Sequence, residues 1–382
     1  MAAAGVGVRT LPLRVAPLTG EALDSWLETL AARHQVPLGD VLARCQLSFR
    51  APVSGWIAVL TTAQLDHVGQ MSSVAPQTIA AMTLLPQARR LAVLEPHDHV
   101  PRVLWIRRTG SRMCRRCLGE TDGRWQLRWR LNWSFACPQH RCLLCDVCPR
   151  CGRPQRRQLQ RLTTIPQPGR CAQTTESASP QPAQPCLASL ADGEVTSVGD
   201  GHPILHAQKR IDALLAGQGT DLALYGARPP SPTLVLRDVH RLARWIITSV
   251  NRERVSQILG SVLGEEIAPH RGRTWPIRRT LEAANPSVRD AAAAIVIALT
   301  VLGQPSRSTA VELLSALMTD VGGIDVYHPP VPANLPLSPA ARAVHDAAYV
   351  SAKAQRRTLD RLARSAARAS TAMTPPGPRW TR

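Results

Sequence analysis

Apolar positions in the first hundred residues recur with a helical period. Leu23, Trp26, Leu27 and Leu30 fall at i, i+3, i+4 and i+7, which lines one face of an α-helix. Val36-Pro37-Leu38 interrupts that face, and Val41, Leu42 and Cys45 predict a second, short helix beyond it. Thr61-Thr62 predicts a capped start for a helix through Leu65 and Val68, and Pro76 starts another through Ile79 and Met82. Each pair has helix-turn-helix spacing, a spacing that plain packed helices share. Residues 1–107 thus read as a helical N-terminal region.

The pattern changes between Trp125 and Phe135. Trp125, Leu127, Trp129, Leu131, Trp133 and Phe135 alternate with Gln126, Arg128, Arg130, Asn132 and Ser134. Period two predicts a strand with one buried face, although the tryptophans also sit at the i, i+4, i+8 positions of a helix. The aromatic row fits the wall of a small core; a base-stacking platform is the alternative. Residues 165–186, rich in Pro, Gln, Ser and Thr, read as a loop or linker.

Helical periodicity returns in residues 191–382. It predicts helices over Leu205–Leu215, Leu236–Val250, Val288–Leu302, Thr309–Met318 and Ala340–Ala369, separated by prolines. On the last of these, Arg357, Arg361, Arg364 and Arg368 share one face at i, i+4, i+7 and i+11. Such a stripe can neutralise phosphates or dock an acidic partner, or simply face solvent. Arg128 and Arg130 add two further candidate contacts for DNA or a partner.

The cysteines supply the chemistry. Cys114-Arg-Arg-Cys117 and Cys137-Pro-Gln-His140 form a full set of four donors with nineteen residues between the second and third. A two-residue gap lets one tight turn aim two side chains at a tetrahedral ion, with zinc–sulfur bonds of about 2.3 Å. Cys148-Pro-Arg-Cys151 opens a second set, for which Cys171 and Cys186 are the remaining candidates despite fourteen residues between them. Cys142 and Cys145 are spare; a rival second set would draw one of them in with Cys148 and Cys151. One or two structural zinc ions are expected, in a module spanning residues 108–190. The metal would replace a core that a short, loop-rich segment cannot supply.

Nothing in the sequence argues for catalysis. Both ligand sets are full, whereas catalytic zinc keeps an open position. His-Glu-x-x-His, the deaminase signature, a phosphate loop of Walker type and a Gly-x-Ser-x-Gly elbow are all absent. The fold class expected is mainly α with small zinc-ribbon β elements.

Charge points to a polyanion. The 46 basic and 27 acidic residues give +19, and the two zinc–thiolate centres would lower this to about +16. Only Lys209 and Lys353 are lysines, so the Arg excess reflects coding bias as much as recognition. No stretch of 18 apolar residues predicts a membrane span. Ten cysteines without a recognisable secretory leader fit a reducing compartment, so a soluble protein of the cytoplasm, associated with the nucleoid, is expected.

Leu11-Pro12-Leu13-Arg14, Pro17-Leu18, Gly20-Glu21 and Leu23-Asp-Ser25-Trp26-Leu27 resemble the opening of TniQ proteins. Cys114-Arg-Arg-Cys117, the Trp/Arg stretch, Cys137-Pro-Gln-His140 and Cys148-Pro-Arg-Cys151-Gly152 follow in that family's order. The resemblance covers about residues 9–152. It implies a non-enzymatic accessory of DNA transposition, connecting target-site recognition to an AAA+ ATPase regulator that recruits the transposase. Alternatives are a stand-alone sequence-specific DNA-binding regulator and a subunit recruited by an RNA-guided CRISPR effector complex. The chain departs from the family pattern at Arg141, where a glycine usually follows the histidine.

Overall fold

The structure, a computed structural model, describes residues 10–47, 59–84, 92–93, 102–103, 106–107, 110–157, 162–174, 184–249, 286–318 and 337–372. Among the described residues four helices come first: α1 (Leu23–His34), α2 (Leu38–Arg44), α3 (Thr62–Ser72) and α4 (Pro76–Ala81). The apolar face read from the sequence is the buried one, with Leu23, Trp26, Leu27 and Leu30 at 1% exposure or less. Gln35, in the left-handed conformation at φ 55°, ends α1 by donating its N–H to Ala31 and Ala32 carbonyls. Thr61 and Gln64 form a reciprocal capping box at the start of α3, and Pro76 occupies the first turn of α4. Three residues separate α1 from α2, and three separate α3 from α4.

The middle of the chain is loop-rich. A short pairing of β1 (Ala92–Val93) with β2 (Arg102–Val103) precedes helix α5 (Arg115–Glu120). Beyond it, β3 (Ala136–Cys137) and β4 (Cys142–Leu143) form an antiparallel hairpin in which Cys137 faces Cys142.

Residues 125–135 are not the strand that their alternation predicts. Leu127–Arg130 form a turn of 3₁₀ helix, and only single bridges, such as Ile106 with Leu131, flank it. The alternation misleads because both kinds of position are buried. Trp125, Trp129, Trp133 and Phe135 fill the core, while Arg130, Asn132 and Ser134 are also buried. The Arg112 guanidinium donates to the carbonyls of Asn132 and Ser134 at 3.0 and 2.6 Å. With Trp129 and Trp133 at 0% exposure, the row is a core wall, not a platform for bases.

The described residues then give five further α-helices: α6 (Pro203–Leu215), α7 (Pro232–Ser249), α8 (Val288–Leu302), α9 (Arg307–Met318) and α10 (Pro339–Ala372). Alanine-rich α8 is buried along most of its length and lies against α6, α7 and α9, as its nearly all-apolar sequence requires. The helical bundle joins the middle region through buried and partly buried polar groups. Buried Gln208 of α6 accepts from the N–H of Phe135 and Ala136 and donates to the Trp133 carbonyl. Asp146 accepts from the Val288 N–H at 2.6 Å, and Arg112 donates to the Pro286 and Ser287 carbonyls, so the first turn of α8 is held from the middle region. No helix among the described residues is long and apolar enough to cross a membrane.

Candidate metal centres

Two groups of four donors converge. The ligand atoms of Cys114, Cys117, Cys137 and His140 all lie within 4.8 Å of one another, and so do those of Cys148, Cys151, Cys171 and Cys186. These are the sets predicted from spacing, and the rival set with Cys142 or Cys145 in the second group is not assembled.

In the first centre, Cys114 and Cys117 sit at the start of α5 and Cys137 ends β3. His140 comes from the turn between β3 and β4. Its Nδ1 is 3.4 Å from Cys114 Sγ, 3.2 Å from Cys117 Sγ and 3.5 Å from Cys137 Sγ, while Cys117 and Cys137 are 3.6 Å apart. Tetrahedral zinc with bonds of about 2.3 Å to sulfur and 2.0–2.1 Å to nitrogen needs donor separations of roughly 3.5–3.8 Å. The four separations lie within about 0.3 Å of that range, so the donors are placed to close on such an ion, and the sulfurs are too far apart for a disulfide.

The second ring nitrogen of His140, Nε2, lies 2.7 Å from Glu120 Oε1, and Gln139 donates to Oε2 of the same carboxylate at 3.1 Å. This turns Nδ1 towards the thiols; with Nε2–H donating to the carboxylate, Nδ1 would be the atom offered to a metal. Glu120 was not among the residues singled out from the sequence; its only signal is an acid at the end of the helix that carries Cys117.

The thiols already share protons unequally. Hydrogen bonding from Cys117 lowers Cys114 to about 6, and hydrogen bonds from Cys114 and Cys117 hold Cys137 well below the ordinary thiol range. Cys117 is correspondingly raised by its donation to Cys114 and Cys137. For His140, burial opposes the charged form, but the Glu120 and Cys137 hydrogen bonds outweigh it and raise the imidazole.

The second centre solves the wide spacing with a hairpin. Cys186 N–H donates to Gln173 O, Leu187 N–H to Cys171 O and Cys171 N–H to Ala188 O, so the two arms run antiparallel and carry Cys171 and Cys186 to the same end. Cys148 lies 3.9 Å from Cys186, and Cys151 3.7 Å from Cys171, again tetrahedral-edge distances. Gln155 donates to Cys171 Sγ at 3.3 Å and the Arg150 N–H to Cys148 Sγ at 3.4 Å. Burial raises Cys171; in Cys148 burial is outweighed by the N–H groups of Cys151 and Arg150, and its thiol is lowered.

The two centres are built on the same turn. Cys137-Pro-Gln-His140-Arg141 and Cys148-Pro-Arg-Cys151-Gly152 both end in a left-handed residue, Arg141 at φ 48° and Gly152 at φ 66°. A glycine suits that conformation without strain; Arg141 adopts it at a cost of about 1–2 kcal/mol. Arg115, next to Cys114, ties the centres together by donating to Leu190 O, Asp192 O and Val147 O. Gly123 and Gly169 bring the backbones of the two centres together so closely that a Cβ on Gly123 would stand 2.1 Å from Gly169 N.

The predicted arginines divide. Arg130 is not available to DNA: it is buried and ion-paired with Asp24 of α1. A full-length cation in a core needs a counter-charge, and α1 supplies it. Arg128 is partly exposed and lies 3.5 Å from Asp212. Arg357 and Arg361 are exposed on α10. Arg364 and Arg368 lie further along the same helix, and their side chains fall outside the described residues.

No curated protein matches this chain. The model of the TniQ family matches residues 12–144, a span that contains α1 to α5, the first centre and the β3–β4 hairpin but ends before Cys148. Residues 12–144 thus form a TniQ domain, the hallmark of transposition-associated proteins.

Proposed function

We propose that this chain is a target-selection adaptor in DNA transposition, linking recognition of a target site to an AAA+ ATPase regulator and, through it, to the transposase. The observation that carries the reading is the TniQ match over residues 12–144, coinciding with a first centre whose four donors fit zinc. Both centres take structural zinc in this account. Their donors are protein side chains on all four corners, which leaves no position for substrate, and the chain acts by binding rather than by catalysis.

The N-terminal helices present contacts to the ATPase. Duplex DNA is attracted by the net positive charge, with the α10 stripe of Arg357, Arg361, Arg364 and Arg368 as the leading contact surface and Arg128 as a secondary one. The natural setting is the cytoplasm, at the nucleoid.

The test is reconstitution of insertion with the ATPase and transposase of the same element. Insertions should gather at one target only when this chain is present. An unchanged insertion pattern without it would overturn the reading. Tight, site-selective DNA binding with no effect on insertion would instead identify a stand-alone regulator. Dependence on a guide RNA complex would place target reading in that complex.

A further inference from the structure

The first centre holds one donor more than tetrahedral zinc uses. Cys142 is fully buried, with a free thiol whose Sγ lies 3.8 Å from Cys114 Sγ. It is also the cross-strand partner of Cys137, so the β3–β4 pairing fixes it beside two ligands at once. Its separation from Cys114 equals a sulfur–sulfur edge of a tetrahedral zinc–thiolate centre, roughly 3.8 Å for bonds of about 2.3 Å. An ordinary core cysteine packs among apolar atoms; this one stands among thiols. Of the four ligands, His140 is the one that is not fully enclosed, and it projects from a turn strained at Arg141.

We propose that Cys142 is a reserve ligand of the first centre, taking the fourth position on zinc when His140 leaves it. The proposal rests on the reading of that centre as a zinc site. At rest the Cys142 S–H is a weak donor to the Cys114 thiolate. When the bond from zinc to His140 Nδ1 breaks, Cys142 Sγ bonds to zinc and its proton passes to the freed Nδ1. The centre changes from three thiolates and one imidazole to four thiolates. The extra negative charge is matched by the new imidazolium, which Glu120 holds through Nε2 at 2.7 Å. No oxidant or further reactant is needed.

The test uses zinc content of the full chain. Wild type, Cys142→Ser and His140→Ala should each carry two zinc ions, and the His140→Ala/Cys142→Ser double variant should carry one. Loss of a zinc from His140→Ala alone, or two zincs in the double variant, would overturn the proposal. A second measurement avoids any variant of His140, in case that change disturbs folding. Transfer of zinc to a chromophoric chelator should be about tenfold faster for one of the two ions in Cys142→Ser than in wild type, the lower end of the effects seen for groups that support a metal ligand. Equal rates would overturn the reserve role while leaving the zinc reading intact. A wild-type chain without zinc in this centre would remove both.

Discussion

Glu120 holds the Nε2 of His140 at 2.7 Å, so the imidazole turns Nδ1 towards the three thiols of the first centre. Because Glu120 is itself half exposed, the contact adds little stability of its own. Its effect lies in orienting the ring and raising its basicity. Glu120→Gln should weaken zinc binding at the first centre by about 10–100-fold and leave the second unchanged. Chelator competition, reading the two ions separately, checks this.

A second relationship binds α1 to the metal region. Glu21, Asp24 and Glu28 share one face of the N-terminal helix and its entry, and they meet Arg124, Arg130 and Arg156. Arg156 reaches both Asp24 and Glu28, at 2.5 and 2.6 Å. Asp24→Asn would leave buried Arg130 without its charge partner and Arg156 with Glu28 alone, and should cost on the order of 3–5 kcal/mol in denaturant unfolding. Burial opposes ionisation of Asp24, but Arg130 and Arg156 together hold its carboxyl below the ordinary 3.8. A depressed folded pKa means stability that is present above the ordinary carboxylate range and is lost as pH falls below about 4. The acid limb of the wild-type stability curve should therefore be steeper than that of Asp24→Asn.

Asp146 links the metal region to the helical bundle through the Val288 N–H and the guanidinium groups of Arg107 and Arg112. Asp146→Ala removes the acceptor at the start of α8 and leaves two buried cations poorly compensated. Destabilisation of about 3 kcal/mol is expected, with faster amide exchange in the first turn of α8 before any change at the zinc ligands.

Changing Arg357, Arg361, Arg364 and Arg368 together to Gln should flatten the salt dependence of duplex binding without unfolding the protein. Four lost phosphate contacts would reduce the slope of log K against log salt by up to about 3.6. An unchanged slope would assign the stripe to a protein contact or to solvent.

Much of this was legible in the sequence, for physical reasons. The period of Leu23, Trp26, Leu27 and Leu30 gave α1, and Val288–Leu302 matched α8 at both ends, because a core-facing helix must repeat its apolar residues. The candidate donors were legible because most of them pair across the two-residue gap of a tight turn. The Trp125–Phe135 segment was misread: alternation implies a strand only if the polar face meets water, and here Arg130, Asn132 and Ser134 are enclosed. Arg130 looked like a phosphate contact for the same reason. Its partner, Asp24, lies 106 residues away, and no local pattern announces such a pair. The Cys171–Cys186 pairing needed a hairpin closed across a Pro- and Ser-rich insertion, which composition alone reads as a linker.

Zinc content per chain, measured on protein purified under reducing conditions without chelators, tests the central claim most directly. Two ions are expected, one for Cys114, Cys117, Cys137 and His140 and one for Cys148, Cys151, Cys171 and Cys186. Cys117→Ala should remove one ion and Cys171→Ala the other. A chain that folds with no zinc would contradict the account.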